Sequence, residues 1–330
     1  MKVLFIGGSG IISSACSALA VERGIDLYLL NRGQTTNRRI PGAVKTLIGD
    51  IRDRAAVAGV LESHTFDVVV DWIAYTPEHI ATDLVLFRGR VGQYIFISSA
   101  SVYQKPPARL PITEETPLDN PFWDYSRDKI ACERALLAAY REVGFPVTIV
   151  RPSHTYDRTL LPLHGGYTVI DRMRRGKPIL IHGDGTSLWT LTHHRDFARG
   201  FLGLLGETRA IGEAYHITSD EWLTWNEIAR LLGHAAGVEP VIAHVPSETV
   251  ARFDTRWGDS LLGDKSHCAM FDNSKIKSIV PDFVATIPFA RGAREIVSWY
   301  DSYPDKRRVD DGFDALLDRI IAAQTAVGPA

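Results

Sequence analysis

Residues 2–13 read KVLFIGGSGIIS, an apolar run closed by glycines and followed at once by a second apolar segment. Val3–Ile6 is short and uniformly apolar, as a buried strand is, and Ile11–Arg23 has helix length and stops at Gly24. A glycine turn in that position has a defined use. Gly7 is expected to take the positive φ of the turn and Gly10 to let a pyrophosphate approach the backbone. The helix start, Ile11 and Ile12, then offers free N–H groups and a positive dipole end to phosphate. The third small position is Ser13, where glycine is usual.

Outward from this unit the alternation repeats. Strands are expected at Leu27–Leu30, Val44–Ile48, Val68–Val70, Tyr94–Ile97 and Val147–Val150, with helices near Asp53–Glu62 and Pro77–Phe87 and another from Tyr125. Uniformly apolar strands separated by helices predict an α/β fold with a doubly wound parallel sheet, Rossmann-like, covered on both faces. After Arg151 the pattern loosens into PLHGGYT, RRGKPI and HGDGTS before helix-like stretches near Ala290–Tyr300 and Gly312–Ala323. The expected organisation is a dinucleotide-binding domain over residues 1–165 and a smaller, mainly substrate-binding lobe over residues 166–330. The chain returns to the sheet at about 190–218, through a helix beginning near Asp196 and the strand Ala214–Ile217. A cleft between the two would hold the substrate.

The 330 residues are 45% hydrophobic and 23% charged with a net charge of −2, so no global charge excess directs the chain to nucleic acid or a membrane surface. Cys16, Cys132 and Cys268 form no metal-ligand spacing, and the adjacent His193 and His194 diverge with no ligand partner, so no metal site is expected. The glycines interrupt the N-terminal apolar run too early for a signal peptide or a membrane span. A cytoplasmic location is the resulting expectation.

The second strand ends in LLNRG, placing Asn31 and Arg32 where an acidic residue commonly meets the adenosine ribose of NAD. A guanidinium there suits a 2′-phosphate and points to NADP, while Asn31 equally suits a ribose hydroxyl; NADP or NAD is the expected cofactor. In GDIRD, Asp50 is placed to accept from an adenine amino group, beside Ile51, or to cap the next helix. The DWIAY segment brings backbone near the cofactor at Ala74.

The fifth strand runs into FISSASVY and the following helix opens with YSRDK. Residues four apart share a helix face, so Tyr125 and Lys129 project side by side, and an ammonium beside a phenol pulls its pKa down. Ser99 at the strand end meets Tyr125. A serine and a tyrosine at a substrate C–OH, with Lys129 on a cofactor ribose, form a proton-transfer set for hydride chemistry.

Together GGSGIIS, GDIRD, FISSASVY, YSRDK, VRPSHTY and DNSKIKSIVPDF resemble the extended short-chain dehydrogenase/reductase family, the NAD(P)-dependent epimerase/dehydratase group, over nearly the whole chain. The resemblance implies catalytic roles for Ser99, Tyr125 and Lys129, a nicotinamide pocket lined by His154, and dimerisation through the helices around 77–87 and 125–143. It implies a small-molecule, sugar-like substrate contacted by Ser99, Ser101 and Trp189, and an epimerase or dehydrogenase/reductase activity.

Departures narrow this. Ala100 and Ser101 stand where dehydratases carry an acidic pair, which disfavours elimination. SSASVY is similar instead to the SSATVY of UDP-glucose 4-epimerases. Yet GDGTSLWTLTHHRD places Ser187 and Trp189 at the glutamine and arginine positions of a diphosphate clamp, so a non-nucleotide carbonyl reductase is the alternative. Trp189 either stacks on a ring or packs inside the lobe. The NRG and ISSASVY segments also resemble chloroplast stem-loop RNA-binding proteins, for which DRMRRGK, residues 171–177, is the best basic cluster. Such a run is otherwise a solvated helix face.

Overall fold

The computed structural model describes residues 1–34 and 40–326; Arg38 and Arg39, in the loop after Arg32, lie outside the described residues. The first half alternates strands and helices: β1 (Lys2–Ile6), α1 (Ile11–Glu22), β2 (Asp26–Asn31), β3 (Lys45–Ile48), α2 (Arg54–Glu62), β4 (Phe66–Asp71), α3 (Pro77–Phe87), β5 (Val91–Ile97), α4 (Asp124–Val143) and β6 (Val147–Pro152). Next come β7 (His154–Tyr156), α5 (Tyr167–Arg174), β8 (Ile179–His182), β9 (Leu188–Trp189), β10 (Leu191–His193), α6 (His194–Leu202), β11 (Ala214–Ile217), β12 (Leu223–Thr224) and α7 (Trp225–Ala235). The chain ends with β13 (Ile242–Val245), α8 (Ser247–Phe253), α9 (Thr255–Ser260), α10 (Ser274–Ile279), α11 (Phe289–Ser302) and α12 (Asp311–Ala326).

A seven-stranded sheet in the order β11-β6-β5-β4-β1-β2-β3 is parallel throughout. Successive side chains of a strand leave on opposite faces. Val3 and Phe5 therefore join α1 and α6 on one side, while Leu4 and Ile6 join α2, α3 and α4 on the other. Strand order reverses between β1 and β4, and the crevice at their carboxyl ends is where such sheets take ligands. The glycine turn stands there. Helix α4 starts beside that crevice and ends at Gly144 in the left-handed region, φ 69°, where its N–H bonds the Tyr140 carbonyl at 3.0 Å.

Outside the sheet, α5, α7 and α11 close on a second apolar cluster around Trp189, Trp225 and Phe289, and α8, α9 and α12 on a smaller one. The solvated-face reading of the DRMRRGK cluster is corrected here at Arg172. Arg172 is fully buried and bonds Asp314 and Asp318 of α12 at 2.5 and 2.7 Å, Arg174 takes Asp301 of α11, and Lys177 reaches Asp318 at 2.9 Å. Arg172 and Lys177 tie the C-terminal helix to α5, while Arg174, Arg175 and Lys177 remain partly solvent-exposed.

Candidate functional site

Two cavities meet at the carboxyl edge of the sheet. One, of about 470 Å³, is lined by the glycine turn, the ends of β4, β5 and β6, Tyr125 and Lys129. The other, of about 420 Å³, lies between the sheet edge and the C-terminal elements and has tryptophan walls. Ser99, Tyr125, Pro152 and Ser153 line both.

The turn is built as its glycines require. Gly7 has φ 98° and Gly8 φ 92°, and a Cβ on Gly8 would stand 2.4 Å from Leu29 Cδ2. Gly8, passed over in the sequence reading, is the tighter of the two. Ser13 replaces the usual third glycine with a cap: its Oγ accepts the Gly10 N–H at 2.8 Å, so that donor is used inside the turn. Ile11 and Ile12 stand at the helix start, where N–H groups have no intrahelical partner. Two further polar atoms, Trp72 Nε1 and Ser98 Oγ, are buried without a hydrogen-bond partner, and both residues line this cavity. The turn geometry and these orphaned donors fit an extended polar ligand such as a dinucleotide.

Along the same edge, Asn31 ends β2 and its Oδ1 accepts the Gly33 N–H at 2.9 Å, while the Arg32 side chain is exposed. Asp50 accepts the Arg52 N–H at 3.0 Å. The cap of α2 is Asp53, which accepts from Ala56, so the cap alternative for Asp50 is corrected. The Ile51 side chain is core. Ala74 is also corrected: its N–H goes to Asp71 Oδ1 at 2.8 Å and its carbonyl to Lys129, and Trp72, Ile73 and Tyr75 line the cavity instead. His154, expected in the nicotinamide pocket, lines the aromatic cavity, where its Nδ1 accepts from Trp189 Nε1 at 3.2 Å. Trp189 packs inside the lobe, beside Trp225 with centroids 5.2 Å apart, and lines that cavity.

Ser99, Tyr125 and Lys129 converge, but not in the expected electrostatic relation. Lys129 Nζ bonds the carbonyls of Ala74 and Ile97 at 2.7 and 2.8 Å and lies 5.8 Å from the Tyr125 ring centre, nearer to Tyr75 at 4.8 Å. Burial pushes the Tyr125 phenol up to about 12, with Ser99 the neighbour that pulls it back. Burial also pushes Lys129 down to about 8. The lowered phenol pKa expected from the spacing is overturned: the ammonium is directed at the sheet, and desolvation governs the tyrosine.

Behind Ser99 stands a hydroxyl file that the sequence reading saw only in part. Ser126 donates to Ser101 at 2.8 Å, and Ser101 meets Ser99 at 2.9 Å. Ser101 is 3% exposed, so its hydroxyl positions Ser99 from behind. Other lining residues come from segments with no local signal: Trp123, His164, His182, Trp225, Trp257, and Asp264 and Lys265 of a π-helical turn at Leu261–Lys265. Among the described residues, no three His, Cys, Asp or Glu side chains gather as a metal site and no helix is long and apolar enough to cross a membrane.

A family model, that of the NAD dependent epimerase/dehydratase family, matches residues 3–218. The chain is 30% identical over 261 residues to the chloroplast stem-loop binding protein of 41 kDa b from Arabidopsis thaliana, covering 74% of this chain and 65% of that protein. It is 26% identical over 256 residues to 2'-dehydrokanamycin reductase from Streptomyces kanamyceticus, covering 76% and 71%. Among solved structures, the UDP-glucose 4-epimerase of Bifidobacterium longum in complex with NAD+ and UDP superimposes with a TM-score of 0.73 at 20% identity, covering 93% of this chain and 100% of that one.

Proposed function

The chain belongs to the NAD dependent epimerase/dehydratase family, and on that premise we propose that it is an NAD(P)-dependent oxidoreductase acting at a hydroxyl-bearing or keto carbon of a small molecule. The observation that carries this reading is the meeting of the two cavities at Ser99 and Tyr125. Residues 1–165, with the return at about 190–218, would form the cofactor domain and the remainder the substrate lobe.

Gly7, Gly10, Ile11 and Ile12 would face the cofactor's phosphates, Asn31, Arg32 and Asp50 its adenosine end, and Lys129 and Tyr125 its nicotinamide ribose. Bound there, the nicotinamide supplies the hydride donor or acceptor. Tyr125 holds the proton at its Oη, and Ser99, fixed by Ser101 and Ser126, orients the substrate oxygen beside it. A phenol pushed up to about 12 is protonated at neutral pH, which suits proton donation to a developing alkoxide. We take carbonyl reduction as the direction, in which a protonated phenol is the acid that the alkoxide requires. Ala100 and Ser101 leave no carboxylate at the strand end for elimination, and Asp264, the carboxylate in the aromatic lining, is ion-paired with Lys105 at 3.1 Å. For the RNA-binding alternative, Arg172 of the basic cluster is buried in ion pairs with α12.

The test is Tyr125→Phe, followed by consumption of NADPH or NADH with a panel of ketones. Turnover should fall by ~10²–10⁴ while cofactor affinity and folding stay close to wild type. Equal turnover in the two proteins, or no carbonyl turnover by cofactor-loaded wild type, would remove the assignment.

A further inference from the structure

The polar groups of the aromatic cavity are mostly committed to the protein itself. Thr190 Oγ1 donates to the Ala269 carbonyl at 2.6 Å and Ser260 Oγ to the Trp257 carbonyl at 2.8 Å. Ser153 meets Thr192 at 2.7 Å, and Trp225 Nε1 and His182 Nε2 converge on the Lys265 carbonyl at 3.2 and 2.9 Å. Asp264 is held by Lys105.

The Lys265 ammonium is different. Among the described residues it makes no hydrogen bond or ion pair, and it rests over the Trp123 ring at 5.5 Å. It is the cationic side chain of a lining that includes no arginine. Burial, together with the Lys265 charge, keeps His154, His164 and His182 below the usual histidine range, so these three neighbours are neutral at pH 7. Lys265 lines this cavity, and its ammonium rests against Trp123, another lining residue.

These facts select a ligand class. A nucleoside diphosphate would bring two phosphates against one ammonium and an adjacent carboxylate. A free sugar carries a hydroxyl on nearly every carbon, and each would be desolvated against groups already paired. The walls instead offer flat apolar surface: Trp189 against Trp225, and His164 stacked on Trp257 with centroids 4.7 Å apart. Building on the carbonyl-reduction reading, we propose that the substrate is a compact, largely apolar ring or alkyl ketone bearing one carboxylate, and that Lys265 receives the carboxylate while Ser99 and Tyr125 face the ketone. Lys265 then determines specificity: a ligand carboxylate gives the partly buried ammonium a direct hydrogen-bonding partner in addition to the Coulombic attraction of Asp264.

The experiment compares 2-naphthoate, the neutral isostere 2-naphthamide and UDP on the full chain, read by quenching of the cavity tryptophans and by calorimetry. The naphthoate should bind about tenfold or more tighter than the amide, as one charge-assisted hydrogen bond allows, with UDP the weakest. Lys265→Met should erase that preference by weakening the naphthoate alone, and Lys265→Arg should retain it. Wild-type naphthoate affinity should also fall as pH rises toward the ordinary lysine range, because burial lowers the Lys265 pKa and the ammonium loses its proton early, while the amide's affinity stays flat. That measurement decides the matter even if Lys265→Met does not fold. Equal binding of naphthoate and amide, tighter binding of UDP, a Lys265→Met protein with unchanged naphthoate affinity, or no saturable naphthoate binding would each overturn the proposal. None of these readouts needs turnover. Loss of charge preference with Tyr125-dependent reduction intact removes the carboxylate reading alone, and the converse result removes the catalytic reading alone.

Discussion

The cavity at the glycine turn is walled by the turn itself and by residues at the carboxyl ends of β1, β4, β5 and β6, all neighbours in one sheet, with Tyr125 and Lys129 of α4. The aromatic cavity takes its walls from residues as far apart in the chain as Trp123, His164, Trp225 and Lys265. Its lining includes three histidines, and that of the glycine-turn cavity includes none. The first has buried donors without a partner beside it; the second has its hydrogen-bonding capacity largely satisfied, with one ammonium that makes no hydrogen bond. One half of the site is thus shaped by main-chain geometry that recurs wherever the fold does. The other is shaped by side chains brought together from remote segments, where we place the substrate.

If Lys129 serves both the sheet and the proposed cofactor, removing it should damage the glycine-turn side more broadly than Tyr125→Phe does. In Lys129→Met the Ala74 and Ile97 carbonyls lose their shared donor, and the proposed ribose contact disappears. NAD(P)H affinity should drop by roughly 10–100-fold, the size of one charge-assisted hydrogen bond, with turnover and Tm falling as well. Calorimetric titration and a melting curve check this; normal cofactor affinity would confine Lys129 to holding the strand ends.

The histidines allow the comparison to be sharpened with pH. Burial holds His154 at about 3 and His182 at about 4 in the folded chain. The unfolded chain binds those protons from about pH 6.5 downward, so the stability these groups contribute is complete above that value and is lost as pH falls toward their folded values. Melting temperature should decline by on the order of 5–10 °C between about pH 6.5 and 4.5. The aromatic cavity should loosen first, seen as a shift in tryptophan emission ahead of the sheet's helical signal. His154→Gln keeps an acceptor for Trp189 and should soften the decline; an unchanged pH slope would show that other groups set it.

The smallest effect is expected at the exposed rim. Arg32→Ala should weaken NADP by a few-fold and leave NAD unaffected, since an exposed ion pair contributes up to ~1 kcal/mol. A protein that binds NAD better than NADP, with no change in Arg32→Ala, would make this arginine loop surface.

The basic run 171–177 shows where local reading fails. On the chain it is four like charges within six residues, and the partners of Arg172 lie about 140 residues later, on a helix whose docking the sequence does not announce. Tyr125 fails in a related way. Its spacing from Lys129 is real, yet which way an ammonium turns depends on the Ala74 and Ile97 carbonyls, and these arrive from two other strand ends. By contrast, Gly7, the order of strands and helices, and the position of Ser99 at the edge of β5 follow from patterns within a dozen residues.

The chain by itself therefore determined the alternating strands and helices, the glycine turn at the first strand end, and the convergence of Ser99, Tyr125 and Lys129 on one edge. Apolar periodicity, a positive φ and helical spacing are local properties that each residue carries wherever it is placed. Tertiary structure alone decided that Gly8 is the tightest point of the turn, that burial rather than Lys129 governs the Tyr125 phenol, and that Lys265 faces the aromatic cavity without a hydrogen-bonding partner. Those are statements about desolvation and about neighbours from remote segments, and both come into being only when the sheet edge and the C-terminal elements close on each other.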